Sequence, residues 1–83
     1  MTITNTKDLN NVEIILNEKL NRISEIEWVV MNIRKRYAEM TDTELADSLQ
    51  KIRELNIEKD QHRAWCDDAE SAIRSFFRPA MAM

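Results

Sequence analysis

Apolar residues recur at alternating spacings of three and four residues along two long stretches of the chain. The repeat begins at Leu9 in the first stretch and at Leu45 in the second, and each continues for several heptads. A repeat of this length is typical of a helix that packs along its whole length against another helix. The pattern therefore predicts two long amphipathic helices, one over about residues 7–39 and one over about residues 42–77.

The repeat gives each predicted helix two positions per heptad that face the partner helix, and the line that they form is called the seam. In the first helix the seam contains Leu9, Val12, Leu16, Lys19, Ile23, Ile26, Val30, Ile33, Tyr37 and Met40. In the second it contains Leu45, Ser48, Ile52, Leu55, Lys59, His62, Cys66, Ala69, Ile73 and Phe76. Lys19, Lys59 and His62 fall at about the same level when the helices fold back on each other. We expect these three residues to form a polar waist that fixes the register.

The link between the two predicted helices is short. Thr41 and Glu44 have the spacing of a capping box, in which each side chain bonds the backbone N–H of the other residue. Thr41 is therefore the predicted N-cap of the second helix, and the turn covers only about residues 40–42. So short a link favours antiparallel neighbours, and the two helices are predicted to form a hairpin.

The two ends of the chain carry weaker signals. Thr6 is the predicted N-cap of the first helix, because its hydroxyl can accept a hydrogen bond from a free backbone N–H. Residues 1–6 are interpreted as a frayed start. Pro79 disfavours a helical conformation at Arg78, so we expect the second helix to end there and residues 78–83 to form a mobile tail.

Composition supports a single helical domain over residues 1–83. The chain contains no glycine and one proline, so no strong helix breaker interrupts the predicted helices. Because 43% of its residues are hydrophobic and 33% are charged, we expect it to fold rather than remain disordered. A small core on so short a chain often needs a second subunit. The predicted fold is all-α, an antiparallel hairpin of two long helices that pairs into a homodimeric four-helix bundle.

Several large apolar residues fall outside the seam. Ile14 and Trp28 lie on the opposite face of the first predicted helix, Met31 lies on its flank, and Trp65 lies off the seam of the second. A lone hairpin leaves such residues in water, and exposed apolar surface of this kind marks interaction sites. These four residues are therefore predicted to bind a partner, because Trp supplies contact area and Met adapts its shape.

A break in either helix is the alternative interpretation of these off-seam residues. A bend near residues 21–24 or near residues 57–60 would fold the chain into three or four shorter helices that bury them. No glycine or proline marks a hinge at either place. Two unbroken helices are therefore the favoured interpretation.

His62 and Cys66 come closest to a chemical motif. They are four residues apart and share a helix face, and both residue types bind zinc. Two ligands make only half a site, which a symmetric dimer would complete, whereas a buried thiol beside a waist histidine explains the pair more simply. A Cys–His nucleophile would also need oxyanion donors, which two continuous helices do not offer. We expect no metal, no cofactor and no enzymatic activity.

Arg34, Lys35 and Arg36 form the basic cluster of the chain. A helical dimer that binds nucleic acid through this cluster is the alternative function. The net charge of −3, from 15 acidic and 12 basic residues, argues against it, because nucleic-acid-binding domains are usually basic. Bases at the end of a helix also complement its dipole, and this explains the cluster without a ligand.

Acidic residues suggest a third interpretation, the imitation of DNA phosphates. Asp67, Asp68 and Glu70 form a local acidic patch on the second predicted helix. Arg63 and Arg74 flank this patch, and Glu70 with Arg74 makes an i,i+4 pair. An ordinary charged helix face is therefore the better interpretation.

The remaining expectations concern location and function. The N-terminal residues are polar and the apolar run Trp28–Met31 is far too short to span a bilayer, so we expect neither a secretory signal nor a membrane span. A single cysteine excludes an intrachain disulfide and fits a cytoplasmic location. The expected function is non-enzymatic protein–protein interaction by a small regulator or inhibitor that docks a helix face on a larger complex. Small helical chains of this kind are frequent among accessory proteins of phages and other mobile elements, and a structural assembly subunit fits equally well.

Overall fold

The computed structural model of the chain describes residues 1–81, and the side chains of residues 1–78. It contains two long helices, α1 (Thr6–Lys35) and α2 (Asp42–Met81), joined by a 3₁₀ turn over Tyr37–Glu39. Neither long helix is interrupted, so the alternative in which one of them breaks midway is wrong. The helices pack against each other as an all-α hairpin of 61 × 17 × 16 Å. Within residues 1–81, neither helix is apolar enough over a sufficient length to cross a membrane.

Helix α1 begins one residue earlier than its predicted cap allows. Asn5 is the N-cap, and its side-chain oxygen accepts a hydrogen bond from the backbone N–H of Asp8 at 2.8 Å. The prediction of Thr6 as the N-cap was therefore wrong. Asparagine and threonine both cap helices, and Asn5 lies three residues before Asp8, which is the usual spacing between an N-cap side chain and the backbone N–H that it accepts. The hydroxyl of Thr4 also donates to the carboxylate of Asp8 at 2.8 Å. These two bonds fix the direction in which the chain enters the helix.

The start of the chain is packed against α2. Ile3 is buried with Leu9 and Ala72, and the terminal ammonium of Met1 lies 3.5 Å from the carboxylate of Asp68. The interpretation of residues 1–6 as a frayed start is therefore wrong. The heptad pattern missed Ile3 because this residue precedes the helix, where helical periodicity carries no information.

Helix α1 ends at Lys35, four residues before the predicted end at residue 39. The backbone N–H of Arg36 bonds the carbonyl of Ile33 at 3.0 Å, and the chain then forms the 3₁₀ turn. The connection is therefore longer than the predicted residues 40–42. The periodic pattern continued through the turn because Tyr37 and Met40 still pack against the core. A tightened last turn directs these side chains inward much as an α-helix would.

Thr41 caps α2 as predicted. Its hydroxyl oxygen accepts from the backbone N–H of Glu44 at 3.2 Å. The return contact differs from the expected capping box, since the hydroxyl of Thr41 donates to the carboxylate of Glu44 at 3.1 Å. Asp42 and Glu44 lie in the first turn, where their negative charge complements the helix dipole.

Helix α2 continues beyond its predicted end at residue 77, through Pro79 to Met81. The predicted stop at Arg78 was therefore wrong. A proline disfavours the helical conformation before it and removes one helical hydrogen bond, here the bond to the carbonyl of Ser75, but it does not forbid the helix. Ser75 is exposed, so water can satisfy that carbonyl. Of the predicted tail, residues 82–83 lie outside the described residues.

Most of the buried residues lie on the predicted seam, Ile3 and Ala72 being the exceptions, and seven of them form two clusters. The first cluster, near the turn, contains Ile26, Val30, Ile33 and Ile52, with Leu55 packed against it. The second, at the free ends, contains Ile3, Leu9 and Ala72, with Val12, Ile73 and Phe76 packed against it. In these clusters Ile33 lies near Ile52 and Leu9 lies near Ile73, a register that agrees with the predicted antiparallel alignment of the two helices. Between the two clusters the seam carries Lys19 and His62 of the predicted polar waist, whereas Lys59, the third predicted residue, does not join them.

Candidate interaction surface

A hydrogen-bonded network crosses the hairpin at the predicted waist. Lys19 Nζ lies 3.5 Å from His62 Nδ1, and His62 Nε2 lies 3.0 Å from a carboxylate oxygen of Glu58. An ammonium group can only donate, so the tautomer of neutral His62 that matches both contacts has Nδ1 as the acceptor and its proton on Nε2, facing Glu58. Arg22 donates to both oxygens of the same carboxylate, at 2.5 and 3.1 Å. Lys59 lies outside this network and borders a groove described below.

Arg22 and Glu58 were missed by the sequence analysis. Both lie beside the seam rather than on it, and each side chain carries a charge that a solvated helix face would equally explain. Helix-flanking positions commonly form interhelical ion pairs that set orientation. Glu58 and His62 are four residues apart, and this spacing was the signal that could have found the network.

The network changes the acidity of Glu58. The pKa of Glu58 is lowered from 4.5 to about 2, and the hydrogen bonds from Arg22 are the largest cause of this shift. His62 lowers the pKa further, whereas partial burial acts in the opposite direction. The hydrogen bonds to Glu58 in turn raise the pKa of Arg22 above its already high ordinary value. Glu58 is therefore ionised in the folded hairpin over a wider pH range than in the unfolded chain.

We expect the contribution of Glu58 to stability to disappear in acid. Because folding lowers its pKa, the stabilisation is fully present above about pH 4.5 and is lost as the pH falls towards about 2. The measurement is urea unfolding, followed by circular dichroism, of the wild type and Glu58→Gln between pH 7 and pH 2. The difference in free energy of unfolding between the two proteins should decrease below about pH 4.5. A gap that stays constant across that window would contradict the assignment.

Trp65 is engaged by the hairpin itself. The ammonium of Lys19 lies 5.3 Å from the centroid of its ring, within the range of a cation–π contact. Trp65 is half-buried, and the lysine that covers it also belongs to the waist. Of the two predicted partner-binding tryptophans, Trp65 is therefore the one whose ring already has a cation–π contact within the hairpin.

The other three predicted residues lie on the outside of α1. Trp28 is 62% exposed, Ile14 is 58% exposed and Met31 is 48% exposed. Ile14 and Trp28 share the outer face of the helix about 21 Å apart, and Met31 lies one turn beyond Trp28. The backbone carbonyl of Trp28 accepts a hydrogen bond from the Asn32 side chain at 2.8 Å, whereas no hydrogen bond, aromatic contact or cation–π contact from the described side chains holds its indole ring. Trp28 and Met31 thus present a compact apolar surface to solvent.

An open groove borders each of these two residues. The Trp28 groove, of about 550 Å³, has a floor of Trp28, Val29 and Ile33 with the polar Asn32 beside them, and is bordered by Lys35, Arg36 and Lys51. The Met31 groove, of about 950 Å³, lies on the other side of α1 and is bordered by charges of both signs, Glu27, Asp60, Arg34, Lys35 and Lys59. Lys35 lies between the two grooves and borders both.

The basic cluster does not form one positive surface on the hairpin. Arg34 borders the Met31 groove together with Glu27 and Asp60. Arg36 borders the Trp28 groove and also a third pocket, whose other charged residues are Glu39, Glu44 and Asp47. A nucleic-acid site needs a continuous basic surface that follows the phosphates. The divergence of these side chains weighs against the nucleic-acid alternative.

The His62–Cys66 pair does not present two free ligands. Both ring nitrogens of His62 have partners in the waist, as described above. Cys66 is buried, and desolvation raises the pKa of its thiol, so the nucleophilic and metal-binding thiolate is disfavoured. Among the described residues no group of three or more His, Cys, Asp or Glu side chains is placed to hold a metal ion. The pair is best understood as part of the core and its polar waist.

No family model matches this chain, and no curated protein and no solved structure matches it. The roles proposed for its residues therefore rest on their exposure, their contacts and their charge. On those grounds, the candidate site is the outer face of α1 at Trp28 and Met31, with its two bordering grooves.

Proposed function

We propose that the chain is a non-enzymatic protein–protein interaction module that docks the outer face of α1 on another protein. The observation that carries the proposal is the exposure of Trp28, which extends 62% of its surface into solvent beside Met31 and between two grooves. Tryptophan is among the residues that contribute most to binding energy at interfaces, and methionine adapts to irregular partner surfaces. A regulator or inhibitor of a larger complex would use such a surface.

We also propose that two hairpins associate into a homodimeric four-helix bundle. One hairpin is only 17 × 16 Å across, so it can bury side chains along a single seam. Large apolar residues remain exposed on other sides of both helices: Ile15, Leu20, Leu49, Ile57 and Phe77. A bundle would cover surface of this kind, and self-association through it leaves the docking face of α1 available.

The homodimer is tested by mass and by the fluorescence of one tryptophan. Light scattering after size exclusion should give about twice 9.8 kDa at tens of micromolar protein. In Trp65→Phe, Trp28 is the sole indole, and an emission spectrum that does not change with protein concentration would place Trp28 outside the dimer interface. A monomer mass across this concentration range would contradict the bundle.

Docking is tested by Trp28→Ala. We expect this variant to keep its helical content, because the side chain it loses is exposed, and to bind its partner about tenfold more weakly or worse. The measurement uses wild-type and variant baits side by side in an extract of cells that naturally make the chain, with quantitative mass spectrometry. Trp28→Phe, which retains an aromatic ring, is the matched control and should recover part of the binding. Identical sets of captured proteins for all three baits would refute the proposed face.

A further inference from the structure

The Trp28 groove has a charge character that differs from the rest of the chain. Every charged residue that borders it is a base: Lys35, Arg36 and Lys51. The Met31 groove, by contrast, contains two acids among its charged residues. The whole chain is acidic, with a net charge of −3. A groove bordered by positive charge alone is therefore a local exception on a negative protein.

The three bases form no direct ion pair with the described side chains of the hairpin. None of them has a carboxylate within 4 Å among the side chains of residues 1–78, whereas Arg22 and Arg63 each form interhelical ion pairs. Lys35 and Arg36 come from the end of α1, and Lys51 comes from α2, so both helices contribute positive charge to one groove. Apart from Asn32, the residues that line the groove between these charges are apolar.

We infer that the segment which binds in the Trp28 groove is an acidic amphipathic peptide of a partner protein. This inference rests on the docking function proposed above and specifies the chemistry of the partner. An apolar side chain of the peptide would pack on the floor formed by Trp28, Val29 and Ile33. Aspartate or glutamate residues beside it would pair with the bases at the border. Complementary charge of this kind makes binding specific for one class of partner and increases the rate of association.

A nucleic acid fits the same groove less well. Phosphates repeat along a strand, so binding needs positive charge that continues beyond one groove. Here Arg36 is followed by the pocket that contains Glu39, Glu44 and Asp47, which would repel the next phosphates. The three bases also surround an apolar floor, which matches an aliphatic or aromatic peptide side chain. A short acidic peptide therefore satisfies both the charge and the floor.

The inference is tested by selecting peptides from a random library displayed on their own messenger RNA. The target is the immobilised full chain, first as the wild type. Peptides enriched on it should be rich in aspartate and glutamate and should also contain large apolar residues. Each enriched peptide is then synthesised with a fluorescent label, and its affinity is measured by anisotropy at fixed salt.

Two sets of variants locate the binding. The triple variant Lys35→Glu, Arg36→Glu, Lys51→Glu should weaken the selected peptides by about tenfold or more, and Trp28→Ala should do the same. The control is Lys7→Glu with Arg74→Glu, which reverses two exposed bases near the free ends of the hairpin, outside both grooves, and should leave affinity within about threefold. Circular dichroism confirms that each variant retains its helices before affinity is compared.

The outcomes separate this inference from the docking function. If the enriched peptides are neutral or basic but still bind Trp28→Ala more weakly than the wild type, the docking face is supported and the inference of an acidic partner is wrong. Failure of the library to enrich any peptide that depends on Trp28 would overturn both. A labelled single-stranded oligonucleotide of about 20 nucleotides is measured in parallel. Tighter binding of this probe than of the peptides, lost in the triple charge reversal, would assign the groove to nucleic acid.

Discussion

Replacement of Ile26 by aspartate should unfold the hairpin or come close to doing so. Ile26 is 1% exposed and lies in the cluster with Val30, Ile33 and Ile52. The substitution removes apolar packing and buries a carboxylate among aliphatic side chains, while Arg22, one turn away, is already bonded to Glu58; the combined cost is about 4 kcal/mol or more. A domain of this size has a free energy of unfolding of only about 5 kcal/mol. Little folded protein should therefore remain.

The matched control is the same change at Ile14. That residue is 58% exposed on the outer face of α1, so an aspartate there stays hydrated and should change stability by less than about 1 kcal/mol. Both variants are compared with the wild type by urea unfolding at one protein concentration, since self-association would add to the measured stability. If Ile26→Asp is as stable as Ile14→Asp, the assignment of the seam is wrong.

Replacement of Ala69 by leucine should also destabilise the hairpin, here by overfilling it. Ala69 is 0% exposed at a point where the seam of α2 faces α1. Three additional carbon atoms cannot be accommodated unless the helices move apart, and insertions of this kind cost about 1–3 kcal/mol. Leucine is nearly as favourable in helices as alanine, so the loss would report packing rather than helix propensity.

Ala64→Leu supplies the control for that experiment. Ala64 is exposed on the same helix, so the identical change adds no atoms to the seam and should alter stability by about 0.5 kcal/mol or less. Thermal unfolding followed by circular dichroism compares the two variants. Equal melting temperatures would show that the helices do not pack closely at Ala69.

The helical architecture was largely readable from the sequence, because an apolar repeat of alternating three- and four-residue spacing matches the period of packed helices and no period of a strand. The pattern placed Leu9, Ile26 and Ile52 on the seam, and all three are buried. The pattern was misleading where residues outside the two α-helices still pack against the core. Ile3 is buried before the first helix begins, and Tyr37 packs from the 3₁₀ turn.

The candidate surface was predictable in part. Exposure of Trp28 follows from its position opposite the seam, since the partner helix can cover only one side. Coverage of Trp65 could not be foreseen, because it depends on the direction taken by the flexible Lys19 side chain. The uniform charge of the Trp28 groove was also hidden, because Lys51 lies far from Lys35 in sequence and meets it only in the folded hairpin.

The two apolar clusters differ in how much chain must be closed to form them. The cluster that joins Ile33 to Ile52 closes a loop of about 20 residues, and the one that joins Leu9 to Ala72 closes a loop of about 60. Chain entropy makes the longer closure costlier by roughly 1 kcal/mol when each is formed from the open chain. Once the shorter loop is closed, the waist and the far cluster each need only a further small closure. Assembly of the hairpin from its turn towards its ends is thus the entropically favoured order.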